Sequence, residues 1–249
     1  MSKLEIRGLN RSFDGAPVLK DLSLDVKEGE FVSILGPSGS GKSTTFSVLT
    51  GALAPSSGEV LVDGEPLAER PGRFAYMPQK DALLPWRRVL DNATLGLEVA
   101  GVRRKDARRR VEPLLETFGL AGYERSYPAQ LSGGMRQRVA LLRTVVQERE
   151  ILLLDEPFGA LDALTRARMQ QWIERVWEKY RWTVLLITHD VREAIFLSDR
   201  VYVFSPRPAT VVKSLEVDLP RPRNLETFSE PAFARIEAEL LHTLLEEEA

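Results

Sequence analysis

The sequence has 249 residues, of which 43% are hydrophobic, and a formal net charge of −2, so it is long and apolar enough for one large folded domain and is not an intrinsically disordered chain. The near-neutral charge gives no whole-chain reason to expect nucleic acid or an anionic membrane surface as a partner. The chain lacks cysteine, which excludes disulfides and thiolate metal sites; it also shows no secretory signal and no apolar run near the roughly 18 residues of a membrane span.

The N-terminal third has the pattern of a β-rich region. Apolar residues alternate within residues 3–9 and again within residues 22–26, which predicts edge strands of a sheet. The apolar run FVSIL at residues 31–35 predicts a buried strand. Short strands are predicted again at residues 59–62 and 73–77, the second ending before a proline.

The segment GPSGSGKST at residues 36–44 lies between the buried strand and a predicted helix, and it fits G-x-x-x-x-G-K-[ST] at every fixed position. Glycines let the backbone turn successive N–H groups toward one point, and a following helix adds its positive dipole end, which together make a phosphate cradle. The lysine is expected to reach the β- and γ-phosphates and the following serine to ligate Mg²⁺. The alternative is a glycine- and serine-rich turn without a ligand. The residues of this loop are Gly36, Pro37, Ser38, Gly39, Ser40, Gly41, Lys42, Ser43 and Thr44.

Between Gln79 and Ser132 the strand pattern gives way to helical spacing, which predicts a mostly helical lobe with helices near residues 89–100 and 105–118. The run RRKDARRR at residues 103–110 is the densest charge run in the chain. It lacks the neighbouring aromatic residues of a single-strand nucleic-acid site, so a solvated helix face is favoured and no nucleic-acid partner is expected.

The rest of the chain alternates helices and strands. The predicted helices are at residues 132–146, 163–180, 191–197 and 233–245, and the predicted strands are at residues 150–154, 183–187, 201–204 and 210–217. The sequence RPRN at residues 221–224 is the nearest thing to a hinge. This order predicts an α/β body that resumes after the lobe and ends in an amphipathic helix.

The segment ILLLDE at residues 151–156 predicts a buried strand that ends in two adjacent carboxylates. Parallel α/β sheets place ligands at the carboxyl ends of their strands. Asp155 is therefore expected to meet the Mg²⁺ held by Ser43, and Glu156 to orient or deprotonate an attacking water molecule. The alternative is a strand capped by a solvated acidic pair.

The segment LSGGMRQ at residues 131–137 has no role in an ordinary single-site nucleotide enzyme. Its small residues at the start of a helix form a second anion-binding corner, with Ser132 as a hydroxyl donor. One phosphate group needs only one cradle. Two cradles on one chain therefore imply two chains that face each other.

Five motifs, GPSGSGKST, LSGGMRQ, ILLLDEP, FGALD and the LLITHD that contains His189, occur in the order found in ATP-binding cassette (ABC) subunits, which the sequence resembles from about residue 3 to residue 215. The resemblance implies a P-loop NTPase cassette of α/β class, with a mixed core sheet flanked by helices, an N-terminal antiparallel β subdomain and an inserted helical subdomain at about residues 80–148. It also implies a nucleotide-binding domain at residues 1–220 and a C-terminal helical extension at residues 221–249.

By the same resemblance, two chains form a head-to-tail dimer that buries two ATP molecules with Mg²⁺. Phe13 would stack on adenine, unless it is core filler, and Asp162 would couple the two sites. Gln79 and His189 would sense the γ-phosphate, and the metal would be held by Ser43, Gln79 and Asp155. The residues that would bind ATP across the dimer are Ser132, Gly133, Gly134 and Asp162. His242, in the C-terminal helix, lies outside these motifs and is assigned no role.

The resemblance leaves two functions open: the ATPase of a transporter with separate permease subunits in the membrane, or a soluble clamp acting on DNA or ribosomes. Only 52 residues separate Gln79 from Ser132, a compact lobe without the long coiled coil of the DNA clamps, so transport is favoured. Residues 76–101 resemble importers of nitrate, alkylsulfonates, taurine and pyrimidine-type precursors. The chain would then be peripheral at the cytoplasmic face of the inner membrane and depend indirectly on a substrate-binding protein.

In such an importer, residues 83–86 would help to form a groove for a helix of the permease. The residues of this expected groove are Leu83, Leu84, Pro85 and Trp86. The alternative is that Trp86 packs inside the helical lobe.

Overall fold

The computed structural model describes residues 2–69 and 72–248. Its strands are β1 (Ser2–Phe13), β2 (Ala16–Lys27), β3 (Phe31–Leu35), β4 (Ser57–Val62), β5 (Glu65–Pro66), β6 (Phe74–Met77), β7 (Ile151–Asp155), β8 (Thr183–Ile187), β9 (Arg200–Phe204) and β10 (Val211–Glu216). Its helices are α1 (Lys42–Leu49), α2 (Val89–Ala93), α3 (Leu95–Val99), α4 (Arg104–Val111), α5 (Gly133–Val145), α6 (Ala163–Tyr180), α7 (Val191–Leu197) and α8 (Pro231–Glu248).

The strands form two sheets. The larger sheet has the order β10-β9-β3-β8-β7-β6, in which only the pairing of β10 with β9 is antiparallel. The smaller sheet has the order β2-β1-β4-β5 and is antiparallel throughout. The expected mixed core sheet and the separate antiparallel β region are therefore both present.

The strands at the centre of the larger sheet are buried along their whole length. Every residue of β3, β7 and β8 is buried, because one face of the sheet packs on helices and the other on α1 and the smaller sheet. This explains why their sequences are continuous apolar runs rather than alternating ones. The sheet thus forms a rigid platform, and the loops that follow its parallel strands emerge at one edge.

The helical lobe differs from its prediction in where the helices end. The helix expected at residues 89–100 is two short helices that meet at Thr94, whose hydroxyl donates to the Asp91 carbonyl oxygen at 3.3 Å. The helix expected at residues 105–118 ends at Val111 and continues as a 3₁₀ turn at Glu112–Leu114. Pro113 lacks the N–H of a continuing helix and disfavours helical geometry in the residue before it.

The expected hinge at residues 221–224 is wrong, because both of its arginines are bound to the body. The Arg223 guanidinium is buried and donates to the carbonyl oxygens of Ile195, Phe196 and Ser198 at 2.7–3.2 Å. Arg221 pairs with the fully buried Glu174 of α6. The segment therefore fastens the C-terminal part of the chain instead of letting it swing.

The C-terminal helix packs on the main core. Phe233 and Leu240 of α8 are fully buried, and Phe228 stacks on Phe196 of α7 with ring centroids 4.9 Å apart. The helix is longer than the predicted 233–245, since Pro231 suits a first helical turn, where its missing N–H has no partner to lose. In residues 2–69 and 72–248, none of the helices combines the length and the apolarity that crossing a bilayer requires.

Candidate functional site

The loop at residues 36–44 joins β3 to α1 and is shaped by its glycines. Gly41 has a φ of 120°, and a Cβ atom there would lie 2.8 Å from Leu19. A Cβ atom on Gly36 would lie 3.0 Å from the carbonyl oxygen of Phe204. Any side chain at these positions would therefore push the loop away from β2 or β9. The loop has the backbone of a phosphate cradle at a helix N-terminus.

Lys42 points back over this loop. Its Nζ donates to the carbonyl oxygens of Gly36 and Pro37, both at 2.8 Å. Burial lowers the pKa of Lys42, and the carboxylates of Glu156 and Asp155 act in the opposite direction. A phosphate group in the cradle would give this ammonium group a charged partner in place of two neutral carbonyls.

Asp155 closes the strand β7 and is buried beside the loop. Burial raises the pKa of Asp155, while hydrogen bonds from Tyr76 and Ser43 lower it. The Tyr76 hydroxyl donates to Asp155 Oδ2 at 3.1 Å. Burial also raises the pKa of Tyr76 to about 12, so this hydroxyl stays a donor at neutral pH.

Glu156, the next residue, has its side chain between two polar groups. Its Oε2 accepts a hydrogen bond from Gln79 Nε2 at 3.1 Å and lies 3.2 Å from His189 Nδ1. Its backbone has a φ of 42°, which is uncommon for a non-glycine residue, and its N–H donates to the Ile187 carbonyl oxygen at 2.9 Å. The strained backbone turns this carboxylate away from the direction of β7, toward Gln79 and His189.

The strand order explains why these residues meet. β3, β8, β7 and β6 are consecutive neighbours in the sheet and are parallel. Their carboxyl ends carry the glycine loop, His189, the Asp155 and Glu156 pair, and Gln79. Segments that are far apart in sequence are thereby brought to one edge.

Phe13 lies at the end of β1, where it pairs with Ala16 across the hairpin to β2. Its side chain is 40% exposed, and the Arg11 guanidinium lies 4.6 Å from the ring centroid. An exposed ring of this kind is not core filler. Because Val18 and Leu19 of the same hairpin contact the position of Gly41, the hairpin adjoins the glycine loop.

The signature segment at residues 131–137 lies elsewhere. Ser132 is exposed and caps α5, accepting a hydrogen bond from the Met135 N–H at 3.2 Å. Asp162 is exposed and caps α6 in the same way, accepting from the Thr165 N–H at 3.0 Å. In the described ranges 2–69 and 72–248, none of the hydrogen bonds joins either residue to the glycine loop.

The two glycines of the signature segment also have a packing role that sequence reasoning missed. A Cβ atom on Gly134 would lie 2.9 Å from Thr165 of α6, and one on Gly133 would lie 3.2 Å from Leu161. The glycines therefore let the start of α5 approach the segment that carries Asp162. Ser132 and Asp162, which are both exposed, therefore lie at one corner of the molecule.

Sequence reasoning also missed the polar groups beneath His189. The Arg166 guanidinium donates to the Leu161 carbonyl oxygen (3.2 Å) and pairs with Asp190 (3.4 Å), which caps α7. Glu193, only 3% exposed, accepts from Gln170 at 3.0 Å. The contact of Tyr76 with Asp155 had a weak signal in the sequence, because Tyr76 is a polar aromatic residue on the strand before Gln79. No signal in the sequence indicated the contacts of Arg166 and Glu193.

The expected groove is only partly at the surface. Leu83 is buried, whereas Trp86 is 72% exposed, so the tryptophan does not pack inside the helical lobe. Asn92 holds the segment, since its side chain accepts from the Leu84 N–H and donates to the Leu84 carbonyl oxygen at 2.8 and 3.1 Å. The exposed indole beside a fixed backbone is a surface to which a partner helix could bind.

No cluster of three or more histidine, cysteine, aspartate or glutamate residues that could hold a metal ion occurs in the described part of the chain. Mg²⁺ in nucleotide sites is usually held by one or two protein oxygens together with phosphates and water. The buried Asp155 carboxylate and the Ser43 hydroxyl that bonds to it have the chemistry of such a donor set. The residues present therefore fit Mg²⁺.

Comparisons with known proteins agree with this geometry. The family model for ABC transporters matches residues 19–159. The chain is 46% identical, over 97% of its length and 84% of the relative's, to the aliphatic sulfonates import ATP-binding protein SsuB 2 of Pseudomonas aeruginosa (strain UCBPP-PA14). It is 41% identical, over 86% of its length and 84% of the relative's, to the taurine import ATP-binding protein TauB of Yersinia pestis bv. Antiqua (strain Antiqua).

Solved structures give the same result. The dimeric structure of MJ0796, a bacterial ABC transporter cassette, superposes with a TM-score of 0.73 at 29% identity and covers 87% of this chain and 100% of that chain. A second dimeric structure of that cassette, in a post-hydrolysis state with ADP and Pi, gives 0.74 at 28% identity and the same coverage. The chain therefore belongs to the ABC transporter family, as an ATP-binding subunit whose ATPase activity is coupled to transport.

Proposed function

We propose that the chain is the ATP-hydrolysing subunit of an importer for an aliphatic sulfonate or taurine. The names of the relatives from P. aeruginosa and Y. pestis support this substrate class within the wider set expected from residues 76–101. The chain would work at the cytoplasmic face of the membrane, beside separate permease subunits and, indirectly, a substrate-binding protein. Its nucleotide-binding domain would be residues 1–220, with the helical subdomain at about residues 80–148 and the extension at residues 221–249.

One observation carries the catalytic part of this proposal: the Glu156 carboxylate lies within 3.1–3.2 Å of both Gln79 and His189, at the strand edge that also carries the phosphate cradle. Glu156 would position the attacking water and take its proton as the bond to the γ-phosphorus forms and the bond to ADP breaks. His189 and Gln79 would hold the carboxylate and contact the γ-phosphate. Lys42 would stabilise the charge on the phosphate oxygens.

ATP would lie along the glycine loop, with backbone N–H groups of residues 36–44 toward its phosphates and Phe13 against the adenine ring. The contact between Arg11 and Phe13 supports this role, because it keeps the ring at the surface beside the loop. Ser43, Gln79 and Asp155 would hold Mg²⁺, which neutralises charge on the β- and γ-phosphates when bound.

Two chains would share two ATP molecules in a head-to-tail dimer. Ser132, Gly133 and Gly134 would bind the γ-phosphate of the ATP held by the partner, and Asp162 would link the two sites. The exposure of Ser132 and Asp162, and the absence of hydrogen bonds from either to the glycine loop in the described residues, support a role toward a second chain. The solved structures of the similar cassette are dimeric, which supports an assembly of two chains.

Growth of the organism that carries the chain tests the substrate class. Deletion of its gene should abolish growth with taurine or an alkanesulfonate as the sole sulfur source and leave growth with sulfate unchanged. Expression of the wild-type chain should restore growth, and expression of Lys42→Ala should not. Growth of the deletion strain on all of these sulfur sources at the wild-type rate would refute the proposed substrate class.

A further inference from the structure

The backbone just after Gln79 is held by two arginines of α5. Arg143 donates to the carbonyl oxygens of Asp81 (2.6 Å) and Ala82 (2.7 Å). Arg136 donates through Nε to Asp81 Oδ2 at 3.1 Å. The two arginines are seven residues apart, so they project from the same face of the helix. We call Asp81, Ala82, Arg136 and Arg143 the loop clamp.

The clamped backbone is in a conformation that the local sequence does not favour. Ala82 has a φ of 45°, in the left-handed region that side chains other than glycine rarely adopt. The Asp81 side chain also accepts from the Leu83 N–H at 3.2 Å, which tightens the same turn. Burial lowers the pKa of Arg143, as expected for a guanidinium whose partners include two backbone carbonyls. Contacts with α5 therefore help to hold the loop in this conformation.

The loop clamp adjoins both the nucleotide site and the signature segment. Asp81 of the clamp is two residues after Gln79, which donates to Glu156 at 3.1 Å. On the other side, Arg136 Nη1 donates to the Leu131 carbonyl oxygen at 3.0 Å, directly before Ser132. A single guanidinium thus joins the loop after Gln79 to the start of the signature segment.

We propose that Arg136 and Arg143 are positioning residues that couple the nucleotide site of one chain to the signature segment of the same chain. The inference rests on the proposed function, because that segment completes the site of the partner chain. When Gln79 moves toward the γ-phosphate, the clamp carries α5 and Ser132 with it. ATP bound in one site thereby places the groups that close the other site.

The test uses Glu156→Gln as the parent, because this variant is expected to retain ATP, and measures the ATP concentration at half-maximal dimer formation by sedimentation. Adding Arg143→Gln removes the charged donor, and dimer formation should then require on the order of tenfold more ATP. Affinity for ADP, measured by calorimetry, reports the glycine loop alone and should stay within about twofold of the parent's. A variant that merely destabilised the fold would change both the ATP midpoint of dimer formation and the affinity for ADP.

Two control variants are used, one at Arg143 itself and one at another arginine of α5. Arg143→Lys keeps one cationic donor for the two carbonyls and should restore most of the ATP-dependent dimer. Arg138→Gln removes an α5 guanidinium that contacts Met169 and Trp172 of α6 instead of the loop, and should leave the ATP midpoint unchanged. If Arg143→Gln does not fold, Asp81→Asn weakens the pair with Arg136 and should shift the midpoint in the same direction.

An Arg143→Gln or Asp81→Asn protein that is folded and dimerises at the parent's ATP concentration would overturn the clamp while leaving the proposed function intact. The clamp would also be overturned if Arg138→Gln shifted the midpoint as far as Arg143→Gln does. A parent that binds ATP but stays monomeric would overturn both proposals, because no partner site would then exist for the clamp to serve.

Discussion

At the scale of single residues, the surroundings of Lys42 bear most directly on the proposed phosphate site. The ammonium group of this lysine is buried and donates to neutral acceptors, the carbonyl oxygens of Gly36 and Pro37 at 2.8 Å and the Ser40 hydroxyl at 3.5 Å. A phosphate oxygen adds the attraction of opposite charges to the hydrogen bond, which a neutral carbonyl oxygen does not. A phosphate would therefore be preferred over the two carbonyls.

We predict that Lys42→Ala weakens ATP binding by about tenfold or more, because the charge-assisted contact is lost. Calorimetric titration with ATP and Mg²⁺ measures the change. Lys105→Ala, which removes an exposed lysine of α4, is the matched control and should bind ATP like the wild type. Equal affinities for all three proteins would refute the assigned role of the glycine loop.

Glu193 is a buried carboxyl group whose ionised form is disfavoured in the folded protein. Burial raises its pKa from the ordinary 4.5 to about 7, and hydrogen bonds from Thr188 and Gln170 lower it less. In the unfolded chain the group ionises near its ordinary pKa. The folded protein therefore binds one more proton than the unfolded chain between these values, so stability falls as the pH rises from about 4.5 to 7.

Glu193→Gln should remove this loss, since an amide oxygen still accepts from Gln170 and carries no charge. Relative to the wild type, the free energy of unfolding of the variant should rise by about 3 kcal/mol between pH 4.5 and pH 7 and stay level above it. Urea unfolding at a series of pH values measures this, with exposed Glu112→Gln as the control. Parallel pH profiles for wild type and Glu193→Gln would contradict the prediction.

At the scale of elements, the C-terminal segment is fastened by a buried cation. Arg223 satisfies carbonyls in the last turn of α7 and after it, and also approaches those of Val217 and Leu219 at 3.3–3.4 Å. Burial, with the nearby Arg221, lowers the pKa of Arg223 to about 10. The guanidinium caps α7 in the way that cations favour helix C-termini.

Arg223→Ala should therefore lower the free energy of unfolding by about 2–4 kcal/mol, because several buried carbonyls lose their donor. Arg235→Ala, an exposed position on α8, should change it by less than about 0.5 kcal/mol. Denaturant unfolding compares the two. A similar small effect in both variants would show that α8 holds the segment without Arg223.

The elements also show what sequence can predict here and what it cannot. The glycine loop, Asp155 and Glu156 carry residue types that phosphate and metal chemistry demands, so their roles could be expected before the fold was known, whereas His189 was expected from the family resemblance. The interruption of the helix expected at residues 89–100 was not predicted. The segment at residues 221–224 is not a hinge because its two arginines meet buried carbonyl and carboxylate groups that lie far away in the sequence. Arg143 likewise looks like any solvated helix arginine. Such contacts depend on distant partners, which local pattern does not encode.

At the scale of the whole molecule, the exposed corner of Ser132 and Asp162 and the exposed indole of Trp86 are the surfaces proposed to bind other chains. The corner of Ser132 and Asp162 would contact a second copy of the chain, and the Trp86 indole would contact a permease helix.

Trp86→Ala should lower the affinity of the chain for detergent-solubilised permease at least about tenfold and leave ATPase activity of the free chain unchanged. Co-purification measures the first quantity, and Val99→Ala, another highly exposed position, is the control. Unchanged assembly of Trp86→Ala would show that the residues at 83–86 do not form a permease groove.

The shared-site dimer is the central claim, and sedimentation of Glu156→Gln with and without ATP and Mg²⁺ tests it most directly. The variant keeps the cradle, Lys42 and Ser132, and lacks only the carboxylate proposed to take the proton, so it should bind ATP without turning it over. A shift from monomer to dimer that requires ATP is the predicted result. A protein that binds ATP and remains a monomer would show that a twin chain does not complete the site.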